Sequence, residues 1–173
     1  MRFAPAIGGE QLLFDFDKFS SAVLREVDEA AFYAAIPSFR KTVGDRAVLR
    51  AIHFFSDNRI VDEEVGALKS GDFEEFKRLV IASGRSSAVN LQNVFAVVNP
   101  QEQGLSLALA LIERQLSGRG AWRVHGGGFA GTVQAYVPLD MLEGFRAEME
   151  AVFGAGACYV LSIRGVGGTK VTL

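Results

Sequence analysis

The side chains and loops able to do chemistry fall in three places in this chain. The first is "HGGGFAG", where His125 precedes Gly126, Gly127, Gly128, Phe129, Ala130 and Gly131. Glycine tolerates positive φ and, lacking Cβ, lets backbone N–H groups approach a bound group closely. Two readings compete: a wide hairpin turn, or a backbone surface that lies against a ligand. The second place is His53, one step from Ile52, which reads either as a hydrogen-bonded structural histidine or as a substrate-side group. The third is Ser83, Arg85, Ser86 and Ser87, which offer donors to a phosphate or simply form an exposed helix-end loop. The acid pairs Asp15/Asp17 and Glu63/Glu64 read as solvated faces. No pair of histidines and no His/Cys set has metal-ligand spacing, and no serine or cysteine stands in a triad order. The glycines are not a P-loop, since no Lys-Ser or Lys-Thr follows them. Nor are they a dinucleotide fingerprint, since the pattern that follows is a strand.

Length and composition bound the setting of these groups. The chain has 173 residues, 49% hydrophobic and 22% charged, with a formal net charge of -2. That length suits one domain with a real core. With no excess of positive charge, nucleic acid and anionic membrane are poor partners. The one cysteine, Cys158, lies in an apolar run and reads as a buried structural thiol, which fits a reducing, cytoplasmic compartment. The N-terminal "MRFAPAIGGEQ" resembles neither a signal peptide nor a membrane span.

The elements that must position these groups follow from periodicity. "QLLFDFDKF" alternates like a strand with one wet face, within a segment 1–44 expected to be the less regular part. From Asp28 the pattern turns helical, with Phe32 and Ile36 on one face until Pro37 stops it. Asp45 to Lys69 reads as the longest helix, burying Leu49, Ile52, Ile60, Val61, Val65 and Leu68. Asp72 and Glu75 have the spacing of a capping box, followed by a buried stripe of Phe73, Phe76, Leu79 and Val80 that runs to Gly84. "GRSSAVNLQNVFAVVNP" reads as a loop with a short helical or extended piece. Leu105 to Leu116 is apolar almost all round, so its helix is expected to be buried on most sides. Trp122 and Val124, then Val133, Ala135 and Val137, alternate as two strands flanking the glycines. A helix with Leu142, Phe145, Met149, Val152 and Phe153 on its apolar face follows, and "CYVLSI" reads as a last buried strand. The fold class is α+β, a small antiparallel sheet with helices packed on one face. Residues 45–173 would form the core of helices and glycine-rich hairpin.

The order of these segments resembles the C-terminal domain of a galactokinase, in the family that also holds homoserine and mevalonate kinases. There a motif Gly-Ala-x-Met-Thr-Gly-Gly-Gly-Phe-Gly-Gly joins two strands beside the active site. Here Gly120-Ala121 precedes Gly126-Gly127-Gly128-Phe129-Ala130-Gly131, with Val124-His125 in place of Met-Thr and Ala130 in place of a glycine. Upstream, Arg50, Ala51, His53, Asp57, Asn58, Gly71 and Asp72 match the family's Arg-Ala-x-His, acidic-Asn and Gly-Asp steps. The resemblance runs from about Asp45 to the end and implies a ferredoxin-like domain.

It also implies a function. Such an enzyme transfers the γ-phosphoryl of ATP to the 1-hydroxyl of galactose or a related sugar, with His125, Gly126, Gly127, Gly128, Phe129 and Gly131 lining the cleft. The family's Gly-Leu-Ser-Ser-Ser phosphate loop and its catalytic groups have no counterpart here, so ATP and Mg²⁺ belong to an N-terminal half outside these residues, and no catalytic residue or metal ligand is assigned. The expected partners are that half, the sugar, and a second copy meeting an exposed apolar face. The alternatives are a stand-alone module that binds a small metabolite without turning it over, and a purely structural interaction domain.

Overall fold

The structure, a computed structural model, describes residues 24–129 and 131–163. The expected strand in "QLLFDFDKF" and the pair Asp15/Asp17 lie outside the described residues. The chain divides into two compact units between Tyr136 and Val137.

In the first unit a 3-10 turn, Leu24–Glu26, leads to helix α1, Glu29–Val43. Asp28 caps it by accepting from the Ala31 N–H at 2.8 Å. Pro37 does not end this helix, contrary to expectation, and lies inside it. Both Pro37 and Tyr33, whose carbonyl loses its partner, stand on the exposed side, where water can serve that oxygen. The apolar stripe meanwhile continues past the proline as Phe39 and Val43. Thus a helix of 15 residues occupies the end of the segment expected to be less regular.

A single residue, Gly44, joins α1 to α2, Asp45–Ser70. The two helices close a core of Leu24, Val27, Phe32, Val48, Ala51 and Phe55. The extent of α2 is as expected but its buried face is not: Ala47, Val48, Ala51, Phe55 and Ala67 are buried, while Val61, Val65 and Leu68 are about half exposed. Periodicity names an apolar stripe; the helices docked alongside decide which face is covered.

Helix α3, Phe73–Ser86, starts at a tight corner. Gly71 takes the left-handed conformation, and Asp72 then accepts from the Glu75 N–H at 3.0 Å. The reciprocal half of the capping box is absent, because the Glu75 carboxylate engages Arg78 instead. Phe76, Leu79 and Val80 are buried with Ala67 and Ala121, whereas Phe73 is exposed. The helix runs through Gly84, and a π-helical turn, Ser87–Leu91, extends it until Gln92 enters the left-handed region.

Helix α4, Gly104–Leu116, buries one stripe, Leu105, Ala108, Ile112 and Leu116. The expectation of burial on most sides is corrected: Leu107 and Ala110 face solvent, since the small sheet covers only part of this helix. Strands β1, Ala121–Val124, and β2, Val133–Tyr136, pair antiparallel with Ala121 opposite Tyr136 and Val124 opposite Val133. Helix α3 rests on β1, where Gly84 meets the backbone of Trp122 and Arg123.

The second unit holds a 3-10 turn, Leu139–Met141, and helix α5, Leu142–Phe153, with Phe145 and Met149 buried. Val152 and Phe153, expected on its buried face, are exposed. "CYVLSI" is not a buried strand: residues 157–163 have no regular structure, and Tyr159, Leu161 and Ile163 are more than four-fifths exposed. An apolar run becomes a strand only where another strand offers its edge, and among the described residues none pairs with it. Cys158 is half-buried there, and burial pushes its thiol up from the ordinary value. The fold is α+β: mostly helix, with one two-stranded antiparallel sheet among the described residues.

Candidate functional site

The β1–β2 connection brings His125, Gly126, Gly127, Gly128, Phe129 and Gly131 together on one turn, closed by the His125 N–H donating to the Thr132 carbonyl at 3.1 Å. All are exposed except Gly128, which is half-buried. The turn is seated on the segment after the π-helical turn: the Phe129 N–H donates to the Asn93 carbonyl at 3.0 Å. Gly128 has φ of +74°, and a Cβ there would lie 2.2 Å from that same oxygen. Gly128 is therefore demanded twice, by backbone conformation and by contact. Gly127 is demanded by neither: its φ is outside the left-handed region and a Cβ on it would meet nothing within 4 Å. The hairpin thus explains Gly128 and leaves Gly127 open to a ligand's requirement.

Beside β1, α2 and α3 share a polar cluster. His53 Nδ1 is 2.9 Å from Ser86 Oγ, Ser56 Oγ is 3.1 Å from the same hydroxyl, and Asn90 Nδ2 donates to it at 3.3 Å. Ser83 donates to the Asp57 carboxylate. Burial lowers the His53 pKa, Asp57 opposing and Arg123 reinforcing the shift, which favours the neutral imidazole. These bonds tie α2 to α3, which is the structural reading of His53. The serines are not an exposed helix-end loop: Ser83, Ser86 and Ser87 are buried, and only Arg85 reaches solvent. Of this cluster Ser56, Ser86 and Asn90 line a cleft of about 350 Å³, together with Ile60, Ala82, Arg85 and Val89.

The acid pair on α2 divides. Glu63 is solvated as expected, but Glu64 is half-buried, its Oε1 without a hydrogen-bond partner, and burial raises its pKa against the pull of Arg123. Of the other motif positions, Gly71 and Asp72 build the α2–α3 corner and Asn58 is exposed. Arg50 is half-buried, its pKa lowered by burial and by Arg46. Sequence reasoning missed Ser56, Asn90 and Asn93. A rare π-helical turn, which often marks a functional site, surfaces only in the structure.

Chemically, the turn exposes glycine backbone to approach and the segment beneath it holds a buried amide, a set suited to a hydroxylated small ligand. Among the described residues no group of three or more His, Cys, Asp or Glu side chains is placed to hold a metal, and no helix is long and apolar enough to cross a membrane. The chain matches no family model.

Proposed function

We propose that this chain is the C-terminal domain of a galactokinase-like sugar kinase, a cytoplasmic enzyme that transfers the γ-phosphoryl of ATP to the 1-hydroxyl of galactose or a related sugar. The observation that carries the reading is Gly127, a glycine at the centre of the exposed turn that neither the backbone nor the packing requires. The ordered motifs from Arg50 to Gly131 support it, as does the hairpin between β1 and β2 with α3 and α4 against it, which suits part of a ferredoxin-like domain. In this reading Gly126 to Phe129, with Gly131 and His125, line the sugar cleft. The residues present do not fit ATP and Mg²⁺, since the sequence has no Gly-Leu-Ser-Ser-Ser loop, and no step is assigned through them. The exposed stripe Val61, Val65 and Leu68 on α2 is a surface for the ATP-binding half or for a second copy.

The test is galactose 1-phosphate formation by protein expressed from the complete reading frame that contains these residues. Gly127→Val should cut kcat/KM for the sugar about tenfold or more, at least about 1.4 kcal/mol of transition-state stabilisation, with melting unchanged. The 173 residues alone should give no turnover, because phosphoryl transfer rests on positioning and Mg²⁺ electrostatics that they lack. Absence of sugar phosphorylation by the complete protein, or unchanged kinetics in Gly127→Val, would overturn the reading.

A further inference from the structure

Asn93 is 1% exposed, and neither its Nδ2 nor its Oδ1 has a hydrogen-bond partner among the described residues. An amide buried without partners is costly, and an apolar side chain of the same size would avoid the cost. A group kept in that state calls for a partner that the described residues do not supply.

Its place in the fold says which. Gly128 lies against the Asn93 side chain, where a Cβ would stand 2.6 Å from Cγ. In the same turn His125, Gly126, Gly127 and Phe129 are exposed. The amide therefore lies against a turn whose neighbouring residues are exposed. Two non-glycine residues among those described have positive φ, and they stand on the two sides of this contact: Gln92 at 58°, next to Asn93, and Phe129 at 56°, next to Gly128. Strained backbone of this kind gathers at ligand-binding and switching segments, where the surrounding structure or a ligand determines it.

We propose that the Asn93 carboxamide is a hydroxyl-recognising group of the sugar site, reached by the ligand when the turn from Gly126 to Phe129 shifts off it. The assignment rests on the sugar-kinase reading. The amide suits such a ligand, because Nδ2 donates and Oδ1 accepts, matching two neighbouring hydroxyls of a hexose at once. A site built to hydrogen-bond a hydroxyl rejects the analogue that lacks it, since its polar atoms are then left unpaired. Asn93 would thus select among sugars by where their hydroxyls stand.

The experiment measures galactose affinity by calorimetry in the protein from the complete reading frame, wild type and Asn93→Leu, with galactose and a set of monodeoxy galactoses. Asn93→Leu is near the size of the native side chain and has no polar atoms, so its melting temperature should stay level or rise. Galactose affinity should fall about tenfold or more. At least one deoxy sugar should bind wild type about tenfold more weakly than galactose does, and Asn93→Leu no more weakly. Should Asn93→Leu fail to fold, Asn93→Ser enters the same cycle. A variant that melts higher yet binds galactose as tightly as wild type marks the amide as a buried water site and overturns the assignment alone. So does an affinity loss that is the same for every deoxy sugar. Wild-type protein that binds no galactose overturns the kinase reading and the assignment with it.

Discussion

Gly128 lies so close to Asn93 that a Cβ on the glycine would stand 2.2 Å from the asparagine's carbonyl oxygen and 2.6 Å from its Cγ. Two neighbouring glycines therefore behave as opposites. Gly128→Ala should destabilise the fold by about 2–4 kcal/mol, combining the cost of a left-handed alanine with overpacking. Gly127→Ala, with open space around it, should stay within about 0.5 kcal/mol of wild type. Urea unfolding of both variants checks this, and equal losses would contradict the contact.

A second pair contrasts two helical glycines. Gly84 lets α3 approach β1: a Cβ there would be 2.9 Å from Arg123 Cβ and 3.0 Å from the Trp122 carbonyl oxygen. Gly84→Val should cost about 1–3 kcal/mol as strand and helix are forced apart. At Gly66, exposed near the C-terminal end of α2 with nothing within 4 Å, replacement by alanine should instead stabilise the fold by about 0.5–1 kcal/mol. Thermal melting of the two variants should move in opposite directions.

His53 makes stability depend on pH. Burial holds its folded pKa below the ordinary 6.5, so the unfolded chain binds protons more readily. The contribution is fully present above about pH 6.5 and is lost as pH falls through that value toward the lowered one. Glu64, raised above its ordinary 4.5 by burial, acts in the opposite sense, favouring the folded state as pH falls toward 4.5. His53→Asn keeps a polar atom for Ser86 without titrating, so its unfolding free energy should vary less than that of wild type between pH 7.5 and 5.5. Denaturant titrations across that range measure the difference.

The α2–α3 corner depends on Asp72. Asp72→Ala should cost about 1 kcal/mol, because the Glu75 N–H loses its acceptor. Glu75→Ala should cost less, since its carboxylate pairs with Arg78 and does not reach back to the cap. The order of the two melting temperatures tests the half-formed capping box.

Signals confined to neighbouring residues were legible in the sequence by itself. Asp28 and Asp72 announce helix starts because a short side-chain oxygen reaches an N–H two or three residues on. The two strands around the glycines were also legible, because alternation with a period of two and a dense turn can be read within about fifteen residues. What depended on a distant neighbour was not. Pro37 looks like a stop until one sees that its lost bond falls on the solvent side. Val61, Val65 and Leu68 look like core until α3 docks through Ala67 and leaves them exposed. "CYVLSI" looks like a strand, but no edge among the described residues receives it. The site divides the same way: His53 and Ser86, 33 residues apart, meet only because α3 lies on α2. Asn93 reaches Gly128 only because the hairpin folds back over the segment that follows the π-helical turn. Sequence determines where helices start and where the hairpin turns because the causes are local hydrogen bonds and periodicities. Which faces are covered, and which side chains meet, is decided by packing, whose partners lie far away along the chain.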